Sequence, residues 1–333
     1  MGNAHFDRLS AQQREAVFAA LRNVLGSVPI DAVTPLKGGA TAAAILRIDA
    51  GKRSYLLRIE GAPSPLRNPH QYVSLRIATD AGLAPRLYYH DDVERIAVMD
   101  FVEQRPLSAY PGGPLALARA AGEMVRRLQS TKLFPYFVDY PDIVARLWAH
   151  VCRTGLFAPG VLDPANERLA ALRNAYVWDR AGSVSSHNDL IPANILFDGQ
   201  RLWLVDWESA YRNDPLVDVA IVLDNLARTP ELEAALLRAW LGEPPGDELH
   251  VRLKLTRALT RLYYAGVFFS ASATFPHTAA DIDVRAPSLA EFQSALGEGR
   301  LKPGTGQTKH VLGKMFLAAF TTGAPTPGFD GAV

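Results

Sequence analysis

The sequence predicts an α+β fold of two lobes, a small antiparallel β-sheet lobe followed by a larger, mainly helical one. Three observations predict it. Strand-length apolar runs concentrate within residues 31–102. From Leu115 onward, apolar residues recur mostly at helical spacing. At 333 residues the chain is long enough for two cores. The boundaries expected are 1–30 for an N-terminal helical extension, 31–104 for the small lobe and 105–333 for the large one.

Composition narrows the function classes. Apolar residues make up 48% and charged residues 21%, ordinary for a globular protein. A net charge of +1 supplies no basic field for nucleic acid. Cys152 is the single cysteine, so no disulfide can form within the chain. The first residues, MGNAHFDRLS, lack the basic and apolar regions of a secretory signal, and Phe6 stands where myristoylation needs Ser or Thr. No apolar run reaches the length of a membrane span. A cytoplasmic protein without a membrane or nucleic-acid partner is the expectation.

Taken in order, Ser10–Leu25 reads as a helix capped by Ser10, with Val17, Phe18, Leu21, Val24 and Leu25 on one face. Strands are expected at Ala32–Leu36, Ala44–Ile48 and Ser54–Ile59, with Gly38-Gly39-Ala40-Thr41 between the first two. A loop of small residues lets backbone amides approach phosphate oxygens. Pro69–Asp80 reads as a helix, and two further strands follow at Arg86–Tyr89 and Ile96–Met99. Helices are expected over Leu117–Leu128, Pro141–Cys152, Pro164–Tyr176, Val219–Leu226, Pro230–Trp240, Glu248–Ala273, Ser288–Leu296 and His310–Phe320. Gly297–Thr308 reads as a mobile Gly/Lys-rich loop.

The chemistry concentrates in Ser186–Asp218, SHNDLIPANILFDGQRLWLVDWESAYRNDPLVD. Asn194 follows Asp189 by five residues, Asp198-Gly199 signals a hairpin turn, and an apolar strand delivers Asp206. An Asp, an Asn at that distance and a second Asp behind a strand form a phosphoryl-transfer constellation. The first Asp accepts the proton of an acceptor hydroxyl. The Asn and the second Asp offer the hard oxygen donors that magnesium requires.

These stretches, HNDLIPANILFD, LVDWE and NDPLVDVA, resemble the aminoglycoside phosphotransferase and choline/ethanolamine kinase superfamily, with DWE and Asn213-Asp214-Pro215 most similar to the choline/ethanolamine branch. The resemblance implies a protein-kinase-like fold, ATP as co-substrate and Mg2+ as cofactor. It implies Asp189 as base, Asn194 and Asp206 as metal ligands, and His187 and Asp218 as supports of the loop. It also implies a nucleotide-binding small lobe, with Gly38, Gly39, Ala40 and Thr41 over the phosphates and Asp100 and Val102 in the adenine-facing hinge. LLRIEG is similar to the choline kinase run in which arginine, here Arg58, takes the place of the phosphate-binding strand lysine. The glutamate that the family carries on the following helix falls near Gln71, and no glutamate occurs between Glu60 and Glu94. A hydrogen bond from Gln71 to Arg58 is the expected substitute.

The acceptor is a small-molecule alcohol. Choline-type acceptors call for aromatic faces and carboxylates, and Trp207, Tyr211, Glu208 and Asp224 are the candidates. Aminoglycoside, thiamine, homoserine and sugar acceptors stay open, as does a catalytically weak nucleotide-binding scaffold, motivated by the missing helix glutamate.

Overall fold

A computed structural model describes residue 6 and residues 9–36, 44–61, 68–178, 180–277, 279–323 and 326–327. Helix α1 (Ala11–Leu25) opens with a reciprocal capping box between Ser10 and Gln13. Strands β1 (Ala32–Pro35), β2 (Ala44–Ala50), β3 (Arg53–Ile59), β4 (Leu87–Asp91) and β5 (Ile96–Asp100) form one antiparallel sheet in the order β1-β2-β3-β5-β4. Alternation in β2 sends Leu46, Ile48 and Ala50 inward. There they join Leu57 and Ile59 of β3, Ile96 and Val98 of β5, and Val17, Leu21 and Leu25 of α1 in one apolar cluster. The N-terminal helix is thus part of the small-lobe core. Helix α2 (Gln71–Asp80) packs against β4 and the edge of the helical lobe.

The remainder is mainly helical: α3 (Gly113–Gln129), α4 (Tyr140–Arg153), α5 (Asp163–Ala175), α6 (Leu216–Leu226), α7 (Pro230–Leu241), α8 (Asp247–Ser272), α9 (Leu289–Gly297) and α10 (Gly306–Thr322). Helix α4 shows why. Tyr140, Ile143, Val144, Leu147, Trp148 and Val151 repeat at three- and four-residue steps and are all buried. Helix α8 is the axis of the lobe, packed on α10, α4 and α6. Helix α6 is buried from Leu216 through Asp224, so its two carboxylates, Asp218 and Asp224, lie inside the protein.

Two short antiparallel pairs sit between the lobes: β6 (Val184–Ser186) with β9 (Tyr211–Asn213), and β7 (Ile195–Phe197) with β8 (Leu202–Leu204). Asp198 makes the β7–β8 turn by accepting the amides of Gln200 and Arg201. Gly199 has φ +102°, and a Cβ there would lie 2.8 Å from the Arg105 guanidinium.

The structure corrects one expected loop. The segment read as mobile through Thr308 ends at Thr305, whose hydroxyl caps α10 by accepting the Thr308 amide. Thr308 is buried and its own hydroxyl donates to the Lys302 carbonyl. Side-chain capping thus recruits into the helix residues that composition assigned to a loop.

Helices α3 and α7 meet with almost no space at Gly122, where an added Cβ would stand 2.4 Å from the Leu236 carbonyl oxygen. Because the obstacle is backbone, relief requires the helices to separate. Gly122→Ala is expected to cost about 1–3 kcal/mol, read as a lowered midpoint in thermal or denaturant unfolding. An unchanged midpoint would show that this contact yields without cost.

Candidate functional site

The site lies in a cleft of about 600 Å³ between the sheet and the helical lobe. Leu56, Leu75, Ala97, Met99 and Leu196 supply apolar walls, and residues 100–104 pass along one side. Asp100 and Val102 therefore border the cleft, but the Asp100 carboxylate is engaged by the Tyr88 hydroxyl at 2.8 Å. The expected phosphate loop, Gly38 to Thr41, lies outside the described residues.

The loop after β6 carries Asp189. Burial pushes its carboxyl up to about 7, assisted by the negative charges of Asp206 and Glu208 and opposed by two hydrogen bonds. Those bonds come from the Tyr264 hydroxyl to Oδ1 at 2.8 Å and from Asn194 Nδ2 to Oδ2 at 2.9 Å. A carboxylate tuned to that range suits proton abstraction near neutrality. Asn194 ends a 3-10 turn, Pro192–Asn194, immediately before β7. Its amide nitrogen also donates to the Asp189 carbonyl, which leaves the carbonyl oxygen of the side chain as the end available to a cation.

Asp206 follows β8 with φ 65°, a left-handed conformation uncommon for a residue with a Cβ. Its Oδ1 is buried without a hydrogen-bond partner among the described residues, and it lies 2.8 Å from Arg58 Nη2. The same Nη2, which carries two N–H groups, donates to Glu208 Oε2 at 3.1 Å. A carboxylate at the cleft, beside the Asn194 side chain, supplies hard oxygen donors of the kind a divalent cation takes along with phosphate and water. Among the described residues no group of three or more His, Cys, Asp or Glu side chains forms a cation cage by itself.

Arg58 is buried and meets three carboxylates: Asp206, Glu208 and, at 3.4 Å from its Nε, Glu60. Burial works against its charge, yet the carboxylates outweigh that and hold the guanidinium above its ordinary value. Gln71 does not bond Arg58 as expected. Its Nε2 donates to Glu60 Oε2 at 2.7 Å. Glu60, just past the end of β3, comes between the helix and the arginine.

The supports of the loop are buried as well. Asp218 accepts the backbone amides of His187 and Asn188 at 2.9 and 2.8 Å, while burial raises its carboxyl to about 6 against them. Asn188, at φ 61°, accepts from Ser186 and Asn213 and donates to the carbonyls of Ser209 and Tyr211. His187 sits in full burial against Trp207, its Nε2 3.0 Å from the Val205 carbonyl oxygen, and burial holds it down at about 4. It is therefore neutral near pH 7 and donates from Nε2.

The acceptor candidates separate. Glu208 faces Arg58. Trp207 is buried against Phe134 and His187, with its indole N–H on the Leu204 carbonyl. Asp224 is bound by Arg257 and Arg261 at 2.6 and 2.8 Å, which removes its carboxylate from the candidates. Of the four, only Tyr211 lines the small aromatic cavity beside the loop, together with Asn68, Tyr140, Ile143, Asn188, Ser209 and Tyr263. The Tyr140 hydroxyl there is buried with no partner among the described residues. Sequence reasoning missed Glu60, Asn188 and Tyr140 as site residues, and named Tyr264 only among general aromatics. The i, i+2 relation of Arg58 and Glu60 was the one usable signal.

Comparison with known proteins adds lineage. Residues 32–250 match the model of the phosphotransferase enzyme family. A crystal structure of a choline/ethanolamine kinase family protein from Mesorhizobium loti superposes with a TM-score of 0.62 at 21% identity, covering 79% of this chain and 87% of that one. The spectinomycin phosphotransferase APH(9)-Ia, solved with ADP and spectinomycin, gives 0.54 at 14%, covering 77% and 88%. Protein LicA of Haemophilus influenzae is 37% identical over 57 residues, 17% of this chain and 21% of that protein. The aligned segment thus spans about a fifth of that relative.

The buried neutral histidine has a measurable consequence. Its folded pKa lies below its unfolded value of 6.5, so acidification protonates the unfolded chain first. The stability this neutral histidine contributes to the wild type, taken relative to His187→Gln, is expected to be lost as pH falls from 6.5 toward 5, by about 1.4 kcal/mol per pH unit at most. Chemical denaturation of both proteins across that range checks it. Parallel curves would mean that His187 is not held neutral.

Proposed function

The chain belongs to the phosphotransferase enzyme family, and from that premise we propose that it is an ATP- and Mg2+-dependent O-kinase whose acceptor is a small amino alcohol such as choline or ethanolamine. The observation that carries the reading is Asp189, a buried carboxyl raised to about 7 and held at both oxygens by Tyr264 and Asn194. Such a group takes the proton of an acceptor hydroxyl as that oxygen attacks the terminal phosphate. The carboxylate then carries the proton, and the leaving group is ADP.

Asn194 and Asp206 would hold magnesium, which when bound neutralises the phosphate oxygens during transfer. The place of both side chains at the cleft supports this assignment. Arg58, with its planar fork, would bind phosphate from the opposite wall. Phosphoryl transfer asks a protein chiefly for position and charge, and rigid partners around Asp189 supply position. The Tyr264 hydroxyl must yield or share Oδ1 when an acceptor hydroxyl arrives.

The amino-alcohol preference draws on the likeness to choline/ethanolamine kinases; Tyr140, Tyr211 and Tyr263 line a cavity of about 10 Å³, which would have to open before an ammonium could reach their rings. Aromatic faces attract a desolvated ammonium by about 2 kcal/mol. Thiamine, homoserine and sugars are the remaining acceptors to compare. The intact Asp189, Asn194 and Asp206 favour an enzyme over a scaffold, which would need no base.

ADP release with Mg-ATP, measured across choline, ethanolamine, aminoglycosides, thiamine, homoserine and sugars, tests the reading. Acceptor-dependent release is expected with choline or ethanolamine. Asp189→Ala should lower kcat by about a hundred- to ten-thousand-fold while Mg-ATP affinity stays unchanged. Equal loss of binding and turnover would remove Asp189 as the base, and release with a different acceptor alone would reassign the substrate. Nucleotide binding without turnover on any acceptor would favour the scaffold.

A further inference from the structure

Family resemblance places an acidic partner for Arg58 on helix α2, and this chain has Gln71 there. We propose that Glu60 is the carboxylate that positions Arg58, and that Gln71 is an amide because its neighbour is already charged. The proposal rests on reading Arg58 as the phosphate-binding side chain.

The geometry divides the labour. Glu60 is 3% exposed, and its two carboxylate oxygens face different elements. Oε1 lies 3.4 Å from Arg58 Nε. Oε2 accepts from Gln71 Nε2 of α2 at 2.7 Å. The backbone amide of Glu60 is fixed too, donating to the Arg95 carbonyl at 3.0 Å. Arg58 is thereby held along its Nε edge, and its Nη2 is directed at Asp206 and Glu208, on the side where phosphate would lie.

Burial explains the residue types. A buried carboxylate needs hydrogen bonds to both oxygens. An amide at position 71 supplies one without adding a charge. A glutamate at position 71 would set two buried carboxylates in contact, and both could not ionise. The chain thus keeps one carboxylate and one amide between strand and helix, with the charge moved from the helix to the strand end. Restoring the family residue at position 71 should accordingly harm the site.

The test is calorimetric binding of Mg-ADP and of adenosine to the full chain. Arg58→Ala and Glu60→Gln should each weaken Mg-ADP about tenfold, the value of one charge-assisted contact, and leave adenosine unchanged. Gln71→Glu alone should also weaken Mg-ADP. The exchange Glu60→Gln with Gln71→Glu should recover most of the affinity, because one carboxylate and one amide are restored. If Arg58→Ala weakens Mg-ADP but Glu60→Gln does not, the Glu60 assignment fails while the arginine clamp survives. If Arg58→Ala has no effect, the clamp reading itself is wrong and the proposal falls with it. Equal losses for adenosine and Mg-ADP would make Glu60 a purely structural group and overturn the proposal. Should Glu60→Gln not fold, Gln71→Leu reports the same quantity. It keeps both charges and removes only the amide, and unaltered Mg-ADP affinity in it would overturn the proposal.

Discussion

The structure depends on one buried cation. Arg58 leaves the sheet and meets Asp206 and Glu208 of the helical lobe, with Glu60 behind it. Burying one charge is costly, and the arrangement is tolerable only because opposite charges surround it. Three carboxylates around one guanidinium offset the cost of its burial. The same contacts link the small lobe to the loop that carries Asp206, so the cation both joins the lobes and shapes the site.

Around the loop, a second layer of buried polar groups holds unusual backbone in place. Asn188 and Asp206 both adopt positive φ. Such conformations persist where the surroundings over-determine them. For Asn188 the surroundings are Asp218 on its amide, two side-chain donors on its carboxamide oxygen and three backbone carbonyls on its carboxamide nitrogen. The same exclusion of water that makes these bonds strong also raises Asp189 and lowers His187. A dry loop therefore yields a tuned carboxyl and a neutral histidine from one physical cause.

The aromatic side of the site follows from helix packing. Tyr140 begins α4, Tyr263 and Tyr264 lie midway along α8, and Tyr211 begins β9. Tyr140 and Tyr263 stand more than a hundred residues apart in the sequence, yet α4 packs on α8 and the two rings, with Tyr211, line one small cavity. Tyr264 reaches the carboxylate itself while Tyr263 turns to the small cavity. Adjacent helical positions point about 100° apart, which separates the two roles.

Local features were legible in the sequence. The Ser10 cap, the Asp198-Gly199 turn, the strands at Ala44–Ile48 and Ser54–Ile59 and the ordered spacing of Asp189, Asn194 and Asp206 act over a few residues, so a string of letters contains them. The sequence by itself therefore determined the two-lobed α+β class and the phosphotransferase family, and it singled out Asp189, Asn194 and Asp206 as the residues to test. What crosses between distant elements was decided by tertiary structure alone. Glu60 came to lie between Arg58 and Gln71, Asp224 was drawn to Arg257 and Arg261, and Tyr264 came to rest on Asp189. Thr305 showed the same limit at short range, since a loop-like composition became a capped helix once Thr308 was buried. The physical reason is common to all four. A buried polar group must find its partner from whatever the fold brings near, and spacing along the chain does not say what that will be.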